Sequence, residues 1–117
     1  NSITVDIFGN TFYRNYDFGA GDDTGVYWNE SKEYSQSVML YFAAAISRSL
    51  RGRFSYGKKL ISSQSLKFKI NLPAVNDRID YDFMENFIKA IEKLVIKDVV
   101  LWTERKIAAT KQVVEAN

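Results

Sequence analysis

Apolar residues near the start of the chain recur with the short period of a β-sheet. The alternating, β-branched run at residues 3–8 predicts one strand, and the aromatic run at residues 11–18 predicts a second. Gly9 and Asn10 lie between them and favour a turn, so we expect the two strands to pair as a hairpin. A loop rich in glycine and aspartate at residues 19–25 then leads to a short buried strand at residues 26–28.

Apolar residues take helical spacing between residues 33 and 50. Ser31 is the predicted N-cap of this helix, because a serine hydroxyl accepts a hydrogen bond from a free N–H group of the first turn. Gly52 is the predicted end. The apolar face consists of Val38, Tyr41, Phe42, Ala45, Ile46 and Leu50.

The middle of the chain is expected to hold only short elements. Residues 54–56 predict a short extended piece before a turn at Gly57, and residues 62–65 predict one helical turn. Residues 68–72 alternate between apolar and polar and stop at the only proline, which predicts a strand. Residues 74–78 are expected to form a linker-like turn.

Residues 80–115 contain neither glycine nor proline and predict one long helix. Asp82 and Glu85 resemble a capping box at its start. Such a helix, about 52 Å long, should project from a small domain and pack against something outside it. Two helices broken near residues 102–103 are the alternative. One apolar stripe consists of Met84, Ile88, Ile91, Val95, Val99 and Trp102, and an adjacent one of Phe83, Phe87, Ala90 and Leu94.

Together these elements predict an α+β fold. It has a small mixed or antiparallel sheet with one or two helices, followed by a long C-terminal helix. Residues 1–78 are expected to form part of one domain, and residues 79–117 a long helix for spacing or oligomerisation. The chain starts with Asn-Ser-Ile and no initiator methionine, so we expect a fragment that lacks the N-terminal part of its domain.

Positive charge is concentrated in one segment, which we call the basic block. The net charge of the chain is only +2, but residues 48–76 carry seven basic residues and no acidic one. Such a block is typical of a surface that binds a polyanion, and its serines and Tyr56 add groups that hydrogen-bond to phosphates or base edges. A solvated surface without a ligand is the alternative. The seven are Arg48, Arg51, Arg53, Lys58, Lys59, Lys67 and Lys69.

No set of residues predicts an enzyme active site. The chain has neither cysteine nor histidine, which excludes disulfides, thiolate-bound metals and histidine-dependent catalysis. Asp17, Asp22 and Asp23 lack the spacing of a calcium loop and are interpreted as a solvated loop. Trp28 and the other aromatic residues are interpreted as core, except Tyr56. We therefore expect no cofactor, no metal and no membrane span, and the lack of cysteine fits a cytoplasmic location.

Three parts of the chain resemble a known family in their order and spacing. They are the aromatic run at residues 11–18 with Val26-Tyr-Trp28, the run Phe54-Ser-Tyr-Gly-Lys-Lys59 with residues 66–73, and the segment at residues 79–88. They are similar to a target recognition domain and its following helix in the DNA specificity (S) subunits of type I restriction–modification systems. The related specificity subunits or domains of type IIB and IIG enzymes are equally similar.

The resemblance implies a non-catalytic module that reads one half of a split site in double-stranded DNA. Its long helix would pair with a counterpart as a coiled coil, act as a spacer and dock the methylation and restriction subunits, which carry the catalysis. With the basic block, it predicts DNA contacts by Arg51, Arg53, Tyr56, Gly57, Lys58, Lys59, Ser62, Ser63, Gln64 and Lys67. The predicted helix interface is Met84, Ile88, Ile91, Val95, Val99 and Trp102.

Two other functions compete with this one. A helical oligomerisation or scaffold module would use the long helix and have no DNA binding of its own. A nuclease fragment would need a metal-binding cluster of carboxylates, and none is recognisable in the sequence. Affinity for nucleic acid separates the recognition module from the scaffold.

Overall fold

The computed structural model describes residues 1–116 and begins with a three-stranded antiparallel sheet. The central strand is β1 (Ser2–Asp6), which pairs with β2 (Thr11–Arg14) on one side and β3 (Thr24–Tyr27) on the other. The predicted hairpin of the first two strands is confirmed, although the second strand ends at Arg14 and not at residue 18.

One face of the sheet packs against α1 (Gln36–Leu50) to form the core. Ile3 on β1 pairs with Tyr13 and Tyr27 on the flanking strands, and both tyrosines pack against the buried cluster. The predicted apolar face of α1 covers the sheet only in part, since Leu50 lies in the buried cluster and Phe42 and Ile46 pack against it, whereas Met39 and Ala43 were not predicted. The buried cluster consists of Ile3, Val5, Met39, Ala43, Leu50 and Leu60.

The N-cap of α1 is Ser35, and the prediction of Ser31 is wrong. The N–H of Val38 donates to the Ser35 hydroxyl at 3.2 Å. Ser31 lies in a turn closed by Asn29, whose side-chain oxygen accepts from the Ser31 N–H at 2.9 Å. The helix therefore starts later than its apolar spacing suggested, because residues 29–32 are held in this local turn. Gly52 adopts a φ of 74° just past the helix, as expected of a glycine stop.

The segment after α1 contains a helical turn, α2 (Ser62–Ser65), as predicted, but no strand at residues 68–72. That predicted strand is wrong, because among the described residues no strand pairs with this segment. The N–H of Phe68 instead bonds to the Ser65 carbonyl at 3.2 Å, and the Phe68 ring packs 5.8 Å from that of Phe54.

The predicted linker at residues 74–78 is a tight hairpin. It joins β4 (Ala74–Val75) to β5 (Arg78–Ile79) in antiparallel pairing. Asn76 and Asp77 form its tip with φ angles of 50° and 61°, a left-handed conformation that Asn and Asp tolerate better than most residues. The hairpin leads directly into the last helix.

The long helix is α3 (Tyr81–Ala116), which is continuous through residues 102–103. The alternative of two broken helices is therefore wrong. The predicted capping box is also wrong: the N–H of Phe83 donates to the Asp80 carboxylate at 3.0 Å, so Asp80 is the cap. Glu85 pairs instead with Lys89 at 3.4 Å. With these elements the α+β class is confirmed.

Only the first part of α3 packs on the domain. Met84 is fully buried, and the Phe87 ring meets that of Tyr41 on α1 at 5.8 Å. At the first turn, Lys32 lies 4.1 Å from the Tyr81 ring, and a hydrogen bond to Tyr34 raises the pKa of the Tyr81 hydroxyl. Residues 91–116 are all exposed, so about 26 residues of helix, or about 39 Å, project from the domain.

Several aromatic residues that the sequence placed in the core lie at the surface. Trp28 is 62% exposed, and Phe12 and Tyr16 are also exposed, with the Arg14 guanidinium 5.0 Å from the Phe12 ring. The interpretation of Trp28 as a core residue is wrong, because it lies just beyond the end of β3 with most of its surface exposed. Within residues 1–116, no helix has both the length and the apolar content needed to cross a bilayer.

Candidate nucleic-acid interface

The Tyr56-Gly57 turn lies at the tip of a short hairpin. The N–H of Ser55 donates to the Lys58 carbonyl at 3.0 Å, and the N–H of Lys58 donates back to the Ser55 carbonyl at 3.0 Å. Tyr56 is 83% exposed, and the Lys59 ammonium lies 4.9 Å from its ring. We call residues 55–59 the basic hairpin. It presents an aromatic ring and two cations on a closed turn.

The basic hairpin is fixed at both of its ends. Before it, Phe54 packs against the core cluster. After it, Leu60 is buried, and its N–H donates to the Ile7 carbonyl at 2.7 Å. The Tyr56 ring also stacks at 6.5 Å on Phe8, which belongs to the turn between β1 and β2. A turn held in this way pays little ordering entropy when it binds a ligand.

Gly9 allows Leu50 and Phe54 to pack closely against the turn between β1 and β2. Its φ is 85°, and a Cβ at this position would lie 3.3 Å from the Leu50 Cβ and 3.5 Å from the Phe54 ring. Glycine is the residue that combines this backbone conformation with so little space. Gly57 differs, because its φ is not in the left-handed region and a Cβ would meet nothing within 4 Å.

α2 adds polar side chains beside the basic hairpin. Ser63, Gln64 and Lys67 are exposed, and the Ser65 hydroxyl shares a 2.6 Å hydrogen bond with Tyr27, which ties α2 to the sheet. Lys59 and Ser63 line the same surface hollow, so the structure brings these two predicted residues together. The side chain of Ser62, also predicted, falls outside the described part of the structure.

The same hollow has an acidic side. Asp22 and Asp23 line it together with Lys59, and both carboxylates are exposed. A DNA phosphate placed there would face negative charge, so the favourable position for a phosphate is on the outer side of the hairpin. The acidic loop thus limits where a polyanion can lie.

The cations of the basic block form no ion pairs within residues 1–116. Among the described residues the ion pair is Lys89 with Glu85, and it involves none of the seven. Lys58, Lys59 and Lys67 are exposed as well. Exposed cations without acidic partners are free to neutralise phosphates and release counterions.

The basic block divides between two surfaces, which the sequence did not reveal. Arg51 and Arg53, predicted as DNA contacts beside the basic hairpin, line a groove between α1 and α3, and Arg48 and Lys69 line it too. Lys58 and Lys59 are not among the described residues that line this groove. The groove has a volume of about 940 Å³. The one sequence signal for this groove is that the residues of α1 that line it recur at helical spacing. They are Tyr41, Ala44, Ala45, Arg48 and Ser49.

The predicted helix interface also divides. Met84 is fully buried inside the domain and presents no free surface, whereas Ile88 is partly buried. The other four lie on exposed turns of α3, with 41% of the side chain exposed at Ile91 and 59% at Trp102. The exposed part of this stripe consists of Ile91, Val95, Val99 and Trp102.

A comparison with protein-family models gives one match. The family of the type I restriction modification DNA specificity domain matches residues 1–101, from β1 into the projecting part of α3. The chain belongs to this family. The resemblance seen in the sequence is thereby confirmed. Neither the curated proteins nor the solved structures give a match.

Membership in a DNA specificity domain family connects the chain with DNA sequence selection in restriction–modification. Specificity domains are typically non-catalytic. In residues 1–116, no three acidic side chains cluster as a metal site would require. The question for this specificity domain is therefore which of its surfaces meets DNA.

Proposed function

We propose that this specificity domain reads one half of a split DNA site through the basic hairpin and α2. The observation that carries the proposal is the hairpin itself, where a tyrosine that is 83% exposed is followed by two lysines that form no ion pair among the described residues. Family membership supports DNA as the polyanion. The anchoring of the hairpin by Phe54 and Leu60 supports a preformed site.

The proposed contacts fall into two classes. Lys58, Lys59 and Lys67 neutralise phosphates and position the domain on the duplex. Tyr56 and the polar side chains of α2 reach base edges, where sequence is read by hydrogen bonds. Gly57 lets the backbone approach the DNA closely. The α2 residues in this proposal are Ser62, Ser63 and Gln64.

Arg51 and Arg53 occupy a different position in the proposal. They were predicted as phosphate contacts, but both line the groove between α1 and α3, and Tyr56 is not among the described residues that line it. A duplex that lies on the basic hairpin does not need them. We therefore restrict the proposed DNA surface to the hairpin, α2 and Lys67.

We further propose that residues 1–78 form the DNA-reading unit and residues 79–117 the spacer. The exposed stripe from Ile91 to Trp102 would pair with the helix of another specificity half as a coiled coil and dock the methylation and restriction subunits. The support is the projecting apolar surface, since large exposed apolar patches mark interaction sites. The reaction would then take place in those partner subunits, in the cytoplasm.

Fluorescence anisotropy of labelled random-sequence duplex DNA tests the DNA-binding part. We expect binding at about 50 mM salt that weakens steeply toward about 200 mM, as phosphate contacts require. A chain that stays folded but does not bind duplex DNA at about 50 mM salt would overturn the proposal.

A scaffold without DNA binding is the second candidate function. The observation in its favour is the long run of exposed apolar residues on α3, including Val95 and Val99. It predicts concentration-dependent self-association in analytical ultracentrifugation together with absent DNA binding. Replacement of Val95 and Val99 by Asp should then abolish the association.

A further inference from the structure

The groove between α1 and α3 combines an apolar floor with a basic rim. On the α1 side, Tyr41, Ala44 and Ala45 line it, and on the α3 side Phe87, Ile88 and Ile91 do. The lining includes four basic side chains and no acidic one. The four are Arg48, Arg51, Arg53 and Lys69.

The helical positions that face the groove explain its shape. Residues 41, 44, 45, 48 and 49 follow one face of α1, with small alanines in the middle and a cation toward the C-terminal end. The Tyr41 and Phe87 rings meet at 5.8 Å where α1 and α3 touch. Alanine side chains leave room above the helix surface, so the floor can accept side chains from a partner.

The cations of the rim form no ion pair with an acidic side chain in the described part of the chain. None of them takes part in the ion pair found among residues 1–116. Arg53 instead lies 5.8 Å above the Phe68 ring, which holds its guanidinium at the edge of the groove. An incoming carboxylate would therefore meet unpaired guanidinium groups, which bind carboxylates in a bidentate geometry.

We propose that this groove binds an acidic amphipathic segment of another polypeptide. Apolar residues of the segment would cover the floor formed by Ala44, Ala45 and Ile88, and its carboxylates would pair with the rim. This is the arrangement by which amphipathic helices lie in grooves, with charge complementarity setting the choice of partner. A DNA backbone would pair with the cations of the rim but leave the apolar floor exposed to water. DNA therefore fits the groove less well than an acidic amphipathic segment does.

The groove also continues into the exposed face of the long helix. Ile91 lines the groove and is the first residue of the exposed stripe on α3. A partner that packs along α3 can thus extend one segment into the groove. The inference does not depend on DNA binding by the basic hairpin, and the two can fail separately.

The test uses the full chain and a labelled model peptide of about 18 residues, with Leu at helical i, i+3, i+4 and i+7 spacing and Glu elsewhere. Controls are a scrambled Leu/Glu peptide and a Leu/Lys helix. The groove variant is R48Q with R51Q, and its matched control is K58Q with K59Q, which removes the same charge from the basic hairpin. A third variant, Ala44→Gln, fills the floor without changing charge. Circular dichroism checks each fold.

We expect the Leu/Glu helix to bind, and both R48Q/R51Q and Ala44→Gln to weaken it at least about tenfold, equivalent to about 1.4 kcal/mol. K58Q/K59Q should leave peptide binding within about twofold, or about 0.4 kcal/mol. Absent binding, equal binding of the scrambled peptide, or an equal effect of both double variants would each overturn the inference. A loss of duplex DNA binding in R48Q/R51Q as large as in K58Q/K59Q would make the groove a DNA surface and also overturn it.

Discussion

Removal of the two hairpin lysines should flatten the salt dependence of DNA binding. Lys58 and Lys59 are exposed, lack acidic partners and lie beside the tip of the hairpin. The double substitution Lys58→Ala with Lys59→Ala leaves Tyr56 and Leu60 in place, and Leu60 anchors the hairpin to Ile7 just after β1. The variant should therefore fold normally and lose only phosphate contacts.

The size of the effect follows from the number of contacts. The three cations of this surface are Lys58, Lys59 and Lys67. At about −0.9 for each phosphate contact, they give a slope of log K against log salt of about −2.7. Affinity then falls about 40-fold between about 50 and about 200 mM salt. The double variant retains one contact, so its slope is about −0.9 and its affinity falls only about 3.5-fold over the same range.

Anisotropy titrations of a labelled duplex at several salt concentrations measure both slopes. The matched control is Lys97→Ala with Lys111→Ala, which removes the same charge from exposed positions of α3. It should keep the wild-type slope. An unchanged slope in the hairpin variant, or the same change in the control, would refute the phosphate contacts, because the effect would then come from net charge alone.

Three further substitutions give distinct outcomes. Gly57→Ala should keep the fold, since a Cβ at this position has open space. It should weaken duplex binding, because the added methyl group keeps the hairpin backbone away from the DNA. Unchanged affinity in the anisotropy assay would exclude a close approach of this backbone to the DNA. Met84→Ala should lower the free energy of unfolding in urea by about 2–5 kcal/mol, because Met84 is fully buried. Val99→Ala on the projecting helix should lower it by less than about 0.5 kcal/mol. Equal losses in the two variants would contradict the packing of α3 described above. Asp80→Ala should lower the free energy of unfolding by about 1 kcal/mol through loss of the α3 cap. Asp82→Ala should lower it less, by about 0.3 kcal/mol, because Asp82 lies in the first turn and interacts only with the helix dipole.

Elements with strong periodicity were predictable from the sequence. The strand at Ser2–Asp6 and the helices at Gln36–Leu50 and Tyr81–Ala116 lie close to where their apolar repeats predicted them. Packing within the domain accounts for the repeat in the first two elements and the first turns of the third, whereas the repeat beyond residue 90 lies on exposed helix. The strand expected at residues 68–72 failed, since alternation says nothing about whether a partner strand exists. Local propensity was not enough where tertiary pairing decides the outcome.

Helix starts were placed less well than helix bodies. Ser35 and Asp80 cap the helices, and the predicted caps at Ser31 and Asp82 lie a turn or less away. Several Ser and Asp residues near each start have suitable oxygens, and backbone geometry alone selects among them. The hairpin at Asn76-Asp77 had a usable signal, because both residue types tolerate positive φ.

The candidate interface was only partly visible in the sequence. The basic block predicted a polyanion surface, and its Tyr56-Gly57 turn lies at an exposed hairpin tip. The division of its cations between the hairpin and the groove depends on how α3 packs on α1, which brings Phe87 beside Tyr41. Charge counted along the chain cannot show on which side of that packing each arginine lies.

The central claim is that this specificity domain reads DNA through the basic hairpin and α2. Selection of preferred sequences from a random pool of DNA duplexes tests this claim most directly. The full chain should enrich one short, defined sequence, and replacement of Gln64 by Ala should relax the preference at a single base pair with a loss of about 1–3 kcal/mol in discrimination. A pool that binds but stays random, or a preference unchanged by substitution of Tyr56, Ser63 and Gln64, would contradict the account.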